Sequence, residues 1–207
     1  MTIKTIIQTG KNPPPSYVLD MLKHLSSGWE YIFFNDHDIV EFFKSNPHYE
    51  FPDIARVFWS FDNGAHRADL FRYYYLYLYG GFYLDTDAMI YVNLDIIVQD
   101  FQFVSVKSIK PCSIFQGLLY AAPKNKIIYE ALKDAYNIDP LRLRKNYHAL
   151  TYNLHFIIKK LEKERDINFR YQLYEERKGS LDFICTVDAS NNVIAKHYFK
   201  YKIIPLE

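Results

Sequence analysis

Cysteine is almost missing: Cys112 and Cys185 are the only two in 207 residues. Neither belongs to a CxxC or Cys/His metal pattern, which excludes a disulfide framework or a zinc site as the organising device and makes a reducing compartment the simpler setting. An excess of charge is missing as well. With 25 Lys and Arg against 24 Asp and Glu, the formal net charge is +1, so no global field draws the chain onto nucleic acid or an anionic membrane. Any phosphate it binds must be held by local groups. No window approaches the roughly 18 apolar residues of a membrane-spanning helix, and the stretch from Met1 to Ile7 lacks the apolar core of a signal peptide. A soluble, cytoplasmic protein is therefore expected. Repeats, low-complexity tracts and long linkers are also lacking, so residues 1–207 are read as a single domain.

What is present is a large apolar and aromatic share, 49% hydrophobic with 19 Tyr and 16 Phe. That suits a packed core, and equally a cleft lined by flat, partly polar rings. Along the first third, β-branched or apolar runs alternate with helical periods. Residues 3–8 read as a strand that ends at Thr9 and Gly10, and 16–25 as a helix carrying Val18, Leu19, Leu22 and Leu25. Residues 29–34 read as a second strand, and a helix capped by Asp36 follows. Residues 54–79 hold one or two helices interrupted near Asp62-Asn63-Gly64 and ended by Gly80. In the second of these, Asp69, Arg72 and Leu76 share one side, while Leu70, Tyr74, Tyr77 and Leu78 can form a packed side. Further strands are read at 82–84, 89–92, 101–106, 113–121, 167–174, 181–187 and 192–198, and helices at 123–136 and 146–164. The class is α/β with a largely parallel sheet flanked by helices, whose ligands normally lie beyond the carboxyl ends of the strands.

Asp85 and Asp87 follow the short strand Phe82-Tyr83-Leu84, itself fed by Gly80-Gly81. Two carboxylates at a sheet's mouth make a hard oxygen site suited to Mg²⁺ or Mn²⁺, ions that keep open positions for substrate phosphates. An Asp-x-Asp alone is equally a polar strand end, and Asp69 with Arg72 alone would be a helix-surface ion pair worth little. The surrounding run, Arg67 to Asp87, decides between these readings. It resembles the signature of glycosyltransferases with the sugar-binding DXD region, the family 32 group that includes yeast initiating α-1,6-mannosyltransferases and bacterial capsule or toxin-like enzymes. Residues 3–9 resemble that family's opening strand, with Ile7 where His is usual. Trp29-Glu30-Tyr31 with Asn35-Asp36, and Phe115-Gln116-Gly117 with Ala122-Pro123, resemble later segments.

The resemblance implies a GT-A fold with a Rossmann-like, mostly parallel central sheet, and a UDP- or GDP-linked sugar as donor. It further implies Mn²⁺ or Mg²⁺, retention of anomeric configuration, and a glycan or other hydroxyl as acceptor. Residues 1–110 would form the nucleotide-sugar-binding half and 111–207 the acceptor-side half. Asp85 and Asp87 would form the metal site, with Asp87 the direct ligand and Asp85 ligating, reaching the ion through water, or holding the ribose. Asp69 would help hold the nucleoside, Arg67 and Arg72 would support the pocket or the diphosphate, and Thr9 and Tyr83 are placed with these donor-binding residues. His197 is the expected third ligand, although the Trp usual in that family's terminal motif is absent. Gln116, or else Asp95, would stand near the anomeric centre. Lys196 and Lys200 are weaker phosphate candidates, and His66, His148 and His155 are structural or acceptor-side residues. Rival readings of the same carboxylates are a nucleotide-sugar hydrolase or nucleotidyltransferase, and a non-catalytic glycan- or nucleotide-binding module.

Overall fold

A computed structural model describes residues 4–198; Lys200 lies outside them. The first third runs β1 (Thr5–Thr9), α1 (Ser16–Leu25), β2 (Glu30–Phe34), α2 (Asp36–Ser45), α3 (Ile54–Ser60), α4 (Gly64–Tyr79) and β3 (Gly81–Leu84). Then come β4 (Ala88–Ile90), α5 (Leu94–Val98), β5 (Phe103–Lys107), β6 (Ile114–Ala121), α6 (Lys126–Asn137), α7 (Pro140–Lys145) and α8 (Ala149–Lys163). Three strands finish it: β7 (Tyr171–Lys178), β8 (Phe183–Val187) and β9 (Val193–Tyr198).

Nine strands form one sheet in the order β2-β1-β3-β6-β5-β7-β8-β9-β4. The β2-β1-β3 nucleus is parallel, with Ile6 facing Tyr31 on one side and Phe82 on the other. Such a nucleus needs its strands covered on both faces, which accounts for the unbroken apolar character of β1. Parallel pairing recurs once more, between β5 and β7, and every other neighbour is antiparallel. The α/β class is as the alternation foretold. The parallel share is smaller, because β5–β6, β7–β8 and β8–β9 are joined by connections too short for a crossover.

Alternate residues feed two cores. Ile7, Tyr83 and Leu119 join the one that includes residues of α4, α6 and α8, while Ile6, Phe82 and Tyr120 join the one that includes residues of α1 and α5. Helix α4 is buried nearly all round from Asp69 to Leu76, so Tyr77 and Leu78 do not belong to a packed side distinct from a polar one. Asp69 and Arg72 lie inside with the aromatics. The cap of α2 is Asn35, whose side chain accepts from the amides of His37 and Asp38, with Asp38 answering the Asn35 amide; Asp36 is one residue further in. Helices α5 and α7 escape the sequence pattern because five and six residues hold too little of a helical period. Among the described residues no helix is long and apolar enough to cross a membrane.

Candidate functional site

The turn from α4 into β3 depends on two glycines. Gly80 has φ +70° and a Cβ there would lie 2.6 Å from Pro123 Cδ; Gly81 has φ +116° and its Cβ would lie 2.7 Å from the Thr5 carbonyl oxygen. Any other residue would meet both positive φ and a wall. The strand that follows delivers Asp85 to the carboxyl end of the parallel nucleus, where its amide donates to the Gly117 carbonyl at 2.8 Å. The Ala88 amide then closes the turn on the Asp85 carbonyl at 3.1 Å, and the Tyr198 amide donates to the Asp87 carbonyl at 3.0 Å.

That last bond belongs to the chain's return. Strand β9 pairs antiparallel with β4, placing His197 opposite Ala88. His197 Nε2 stands 2.9 Å from Asp87 Oδ1 and 3.9 Å from Asp85 Oδ2. Asp85, Asp87 and His197 each offer one ligand atom, all within 4.8 Å of one another. Two carboxylates and an imidazole fit a hard divalent ion such as Mn²⁺ or Mg²⁺. The backbone leaves the space deliberately open, since a Cβ on Gly117 would sit 2.3 Å from Asp85 Oδ2. Burial pushes the His197 imidazole toward its neutral form, but the hydrogen bond to Asp87 and the charges of Asp87, Asp85 and Glu176 outweigh it and hold its pKa above 6.5.

Behind the carboxylates lies a buried polar hub at Tyr83. Its hydroxyl donates to Asp85 Oδ1 at 2.9 Å, receives Arg72 Nη2 at 3.1 Å and meets Thr9 Oγ1 at 3.1 Å. Arg72 is 4% exposed. Its Nη1 donates to the Gln116 carbonyl at 2.6 Å, its guanidinium lies 3.9 Å from the Tyr83 ring centroid, and Asp69 and Asp85 stand at 3.4 and 3.7 Å. Burial alone would favour losing the Arg72 charge, yet Tyr83, Asp69 and Asp85 keep it firmly protonated. For Asp69 burial prevails and raises its pKa, with Arg72 pulling the other way. Arg72 thus orients Asp85 and Gln116 from within. The i, i+3 spacing of Asp69 and Arg72 builds this interior pair rather than a surface one.

A cavity of about 740 Å³ opens over these groups, and Asp69, Arg72, Tyr83, Asp85, Asp87, Gln116 and His197 all line it. Gln116 is 3% exposed, and its amide nitrogen and oxygen make no hydrogen bond of normal geometry among the described residues, the buried Tyr73 hydroxyl being the polar group that approaches it. A buried amide without well-formed hydrogen bonds costs stability unless a ligand completes it. Thr9 and Arg67 line the same cavity, the latter paired to Asp36 at 3.0 Å with its guanidinium over Phe58 and Trp59.

Other candidates are placed elsewhere. Asp95 caps no cavity wall: it pairs with Lys4 at 2.7 Å and accepts from Trp29 Nε1 at 2.9 Å, so Gln116 is the one that reaches the site. Lys196 lies between the rings of Tyr91 and Phe183 and does not line the cavity. His66 and His148 do line it, whereas His155 does not. Sequence reasoning missed Tyr147 and Glu176, which face the cavity from the turn between α7 and α8 and from β7. No local motif marks either one.

Residues 16–104 match the model of the glycosyltransferase sugar-binding region containing the DXD motif. Inositol phosphoceramide mannosyltransferase 1 of Schizosaccharomyces pombe is 29% identical over 106 residues, 51% of this chain and 32% of that protein. The chain thus spans about a third of the length of that curated relative. The solved structure of the PaToxG Glycosyltransferase superposes with a TM-score of 0.54 at 14% identity, covering 79% of this chain and 70% of the other, a likeness of fold. Through residues 16–104, with their Asp85-Thr86-Asp87 at the mouth of an α/β sheet, the chain is similar to the glycosyltransferases that carry the DXD sugar-binding region.

Proposed function

We propose that this chain moves a sugar from a nucleoside diphosphate, UDP- or GDP-linked, to a hydroxyl of a glycan or other acceptor, with retention. The observation that carries this reading is the convergence of Asp85, Asp87 and His197 at one edge of a cavity that also holds the buried amide of Gln116. Asp85, Asp87 and His197 would hold Mn²⁺ or Mg²⁺, which when bound neutralises the diphosphate charge that grows as the anomeric bond breaks. Tyr83 and Arg72 fix the Asp85 carboxylate from behind, so the site is preorganised before the donor arrives. Asp69, Arg67 and Thr9 line the donor side with them. The Gln116 amide offers a dipole to an oxocarbenium-like centre, and the departing phosphate oxygen can take the acceptor's proton without a strong protein nucleophile. Residues 1–110 would supply most of the donor side and 111–207 the acceptor wall, with Gln116 and His197 crossing from the second to the first.

The test is Asp87→Asn. Its fold should persist, because the Asp87 side chain is partly exposed, while Mn²⁺ together with UDP or GDP should no longer raise its melting temperature as it does in the unaltered chain. Transfer from labelled nucleotide sugars should be lost along with it. Full transfer by the variant refutes the site. Release of free sugar that candidate acceptors never divert refutes transfer in favour of hydrolysis.

A further inference from the structure

Beside the residues of the donor reading, the cavity is lined by groups that this reading does not use. Tyr147 stands among them in the turn between α7 and α8, 53% exposed although it lines the cavity. It is not a loose rim residue: its carbonyl is bound to His66 Nε2 at 2.9 Å, and the two rings pack at a centroid distance of 5.2 Å. His66 is itself buried in α4, so the aromatic face is anchored to the same helix that supplies Asp69 and Arg72. The phenol is close enough to Asp69, Asp85 and Asp87 for their charges, after burial, to raise its pKa.

Glu176 on β7 is the second of these groups. It is 8% exposed and lines the cavity. Ser108 Oγ donates to its Oε2 at 2.6 Å and the Ile109 amide to the same oxygen at 2.9 Å. The carboxylate is therefore held rigidly by one oxygen, and these two bonds leave the acceptor capacity of the other untouched. Ile109 itself, 52% exposed, adds apolar surface beside it. Lys110, the cation of the same loop, has its ammonium 5.6 Å from the Tyr152 ring centroid.

We propose that these groups form the acceptor subsite and that it takes a neutral pyranoside, its C–H face against the Tyr147 ring and a ring hydroxyl donating to Glu176. An aromatic face and a fixed carboxylate lining one cavity match the two surfaces of a sugar ring, one apolar and one rich in hydroxyl donors. Across the whole cavity the carboxylates Asp36, Asp69, Asp85, Asp87 and Glu176 are matched by Lys11, Arg67, Arg72 and Lys110, but Glu176 is held by the neutral Ser108 hydroxyl and Ile109 amide and so disfavours an anionic group against it, and a peptide hydroxyl offers no flat face to Tyr147. This inference rests on the reading of Asp85, Asp87 and His197 as the donor end, and its test is kept independent of donor turnover.

Saturation-transfer NMR of the full chain with methyl α- and β-hexopyranosides reads acceptor binding without any donor. Ring-proton saturation should appear in the unaltered chain, persist in Tyr147→Phe, and fall at least about fivefold in Tyr147→Ala and in Glu176→Gln, as the loss of one stacking or charged hydrogen-bond contact predicts. The melting shift given by Mn²⁺ with UDP or GDP checks the donor end separately in each variant. Equal saturation in all four proteins, or saturation of a serine- or tyrosine-containing peptide in place of any pyranoside, overturns the proposal. Failure of the nucleotide shift in the unaltered chain would instead count against the donor reading.

Discussion

Gly117→Ala is the most discriminating perturbation the site offers. Gly117 lies in β6 with no positive φ, so an added methyl strains no backbone; what it meets is side chains. The new Cβ would stand 2.3 Å from Asp85 Oδ2 and 2.3 Å from Phe115 Cζ, where real contacts essentially never fall below 3.0 Å. Both neighbours are the far ends of side chains that are partly exposed, and they can move. The cost to the fold should then fall near the low end of the overpacking range, about 1 kcal/mol. The cost to the site is larger. Asp85 is displaced directly, and Phe115, whose ring packs 4.9 Å from the His197 ring, carries the displacement to a second ligand. Disturbing the shell that orients metal ligands typically weakens binding by about 10- to 100-fold. Calorimetric titration with Mn²⁺ should show that loss while urea unfolding of the metal-free protein moves little. Gly81→Ala is the counterpart: with φ +116° and the Thr5 carbonyl in its path, it should damage folding itself. Unchanged Mn²⁺ affinity in Gly117→Ala would refute the placement of the ion against Asp85.

Gln116→Leu removes two buried polar atoms that make no hydrogen bond of normal geometry but also takes the nearby amide from the buried Tyr73 hydroxyl, so urea unfolding should find the variant within about 1 kcal/mol of the parent, while transfer falls about 100-fold; a larger loss of stability would mean the amide is structural. Arg72→Met leaves Asp69 without its partner and cuts the bonds to Tyr83 and Gln116. The expected loss is about 3 kcal/mol in urea unfolding, at the low end for a broken buried pair because Asp69, its pKa already raised, can take up a proton; a loss below about 1 kcal/mol would contradict the hub. The raised pKa of His197 stabilises the metal-free fold below pH 6.5, and that contribution fades as pH rises through the raised value. Mn²⁺ needs the neutral imidazole, so the melting shift it produces should grow over the same window and lose that growth in His197→Gln. A metal shift that is flat between about pH 6 and 8 would exclude His197 as a ligand.

Local chemistry was legible wherever the determinants sit close together in the chain. Gly80-Gly81 announced a turn that only glycine fits, the residues before it a long helix, and Asp85-Thr86-Asp87 a carboxylate pair at a strand end; the structure has each of these. The run from Ser16 to Leu25 is a helix with those same bounds. Arg72 lies between Asp69 and Asp85 in the fold, though the spacing of Asp69 and Arg72 could not tell an interior pair from an exposed one. That distinction depends on what covers α4, which comes from α6 and the sheet. Asp95 shows the limit from the other side, since its sequence distance from Asp85 is short and yet Lys4 and Trp29 hold it away from the cavity.

The sequence by itself determined the alternation that builds a β2-β1-β3 nucleus and the acidic pair at its mouth, because strand, helix, turn and Asp-x-Asp are written within a few neighbouring residues. Tertiary structure alone decided that His197 returns beside Asp87, that the Gln116 side chain is buried, and that Tyr147 and Glu176 line the same cavity. His197 is placed by the antiparallel pairing of β9 with β4, Gln116 by that of β6 with β3, and Glu176 by the parallel pairing of β7 with β5, all between strands far apart in the chain. Register there is set by the packing of both sheet faces, a quantity that no short stretch of residues carries.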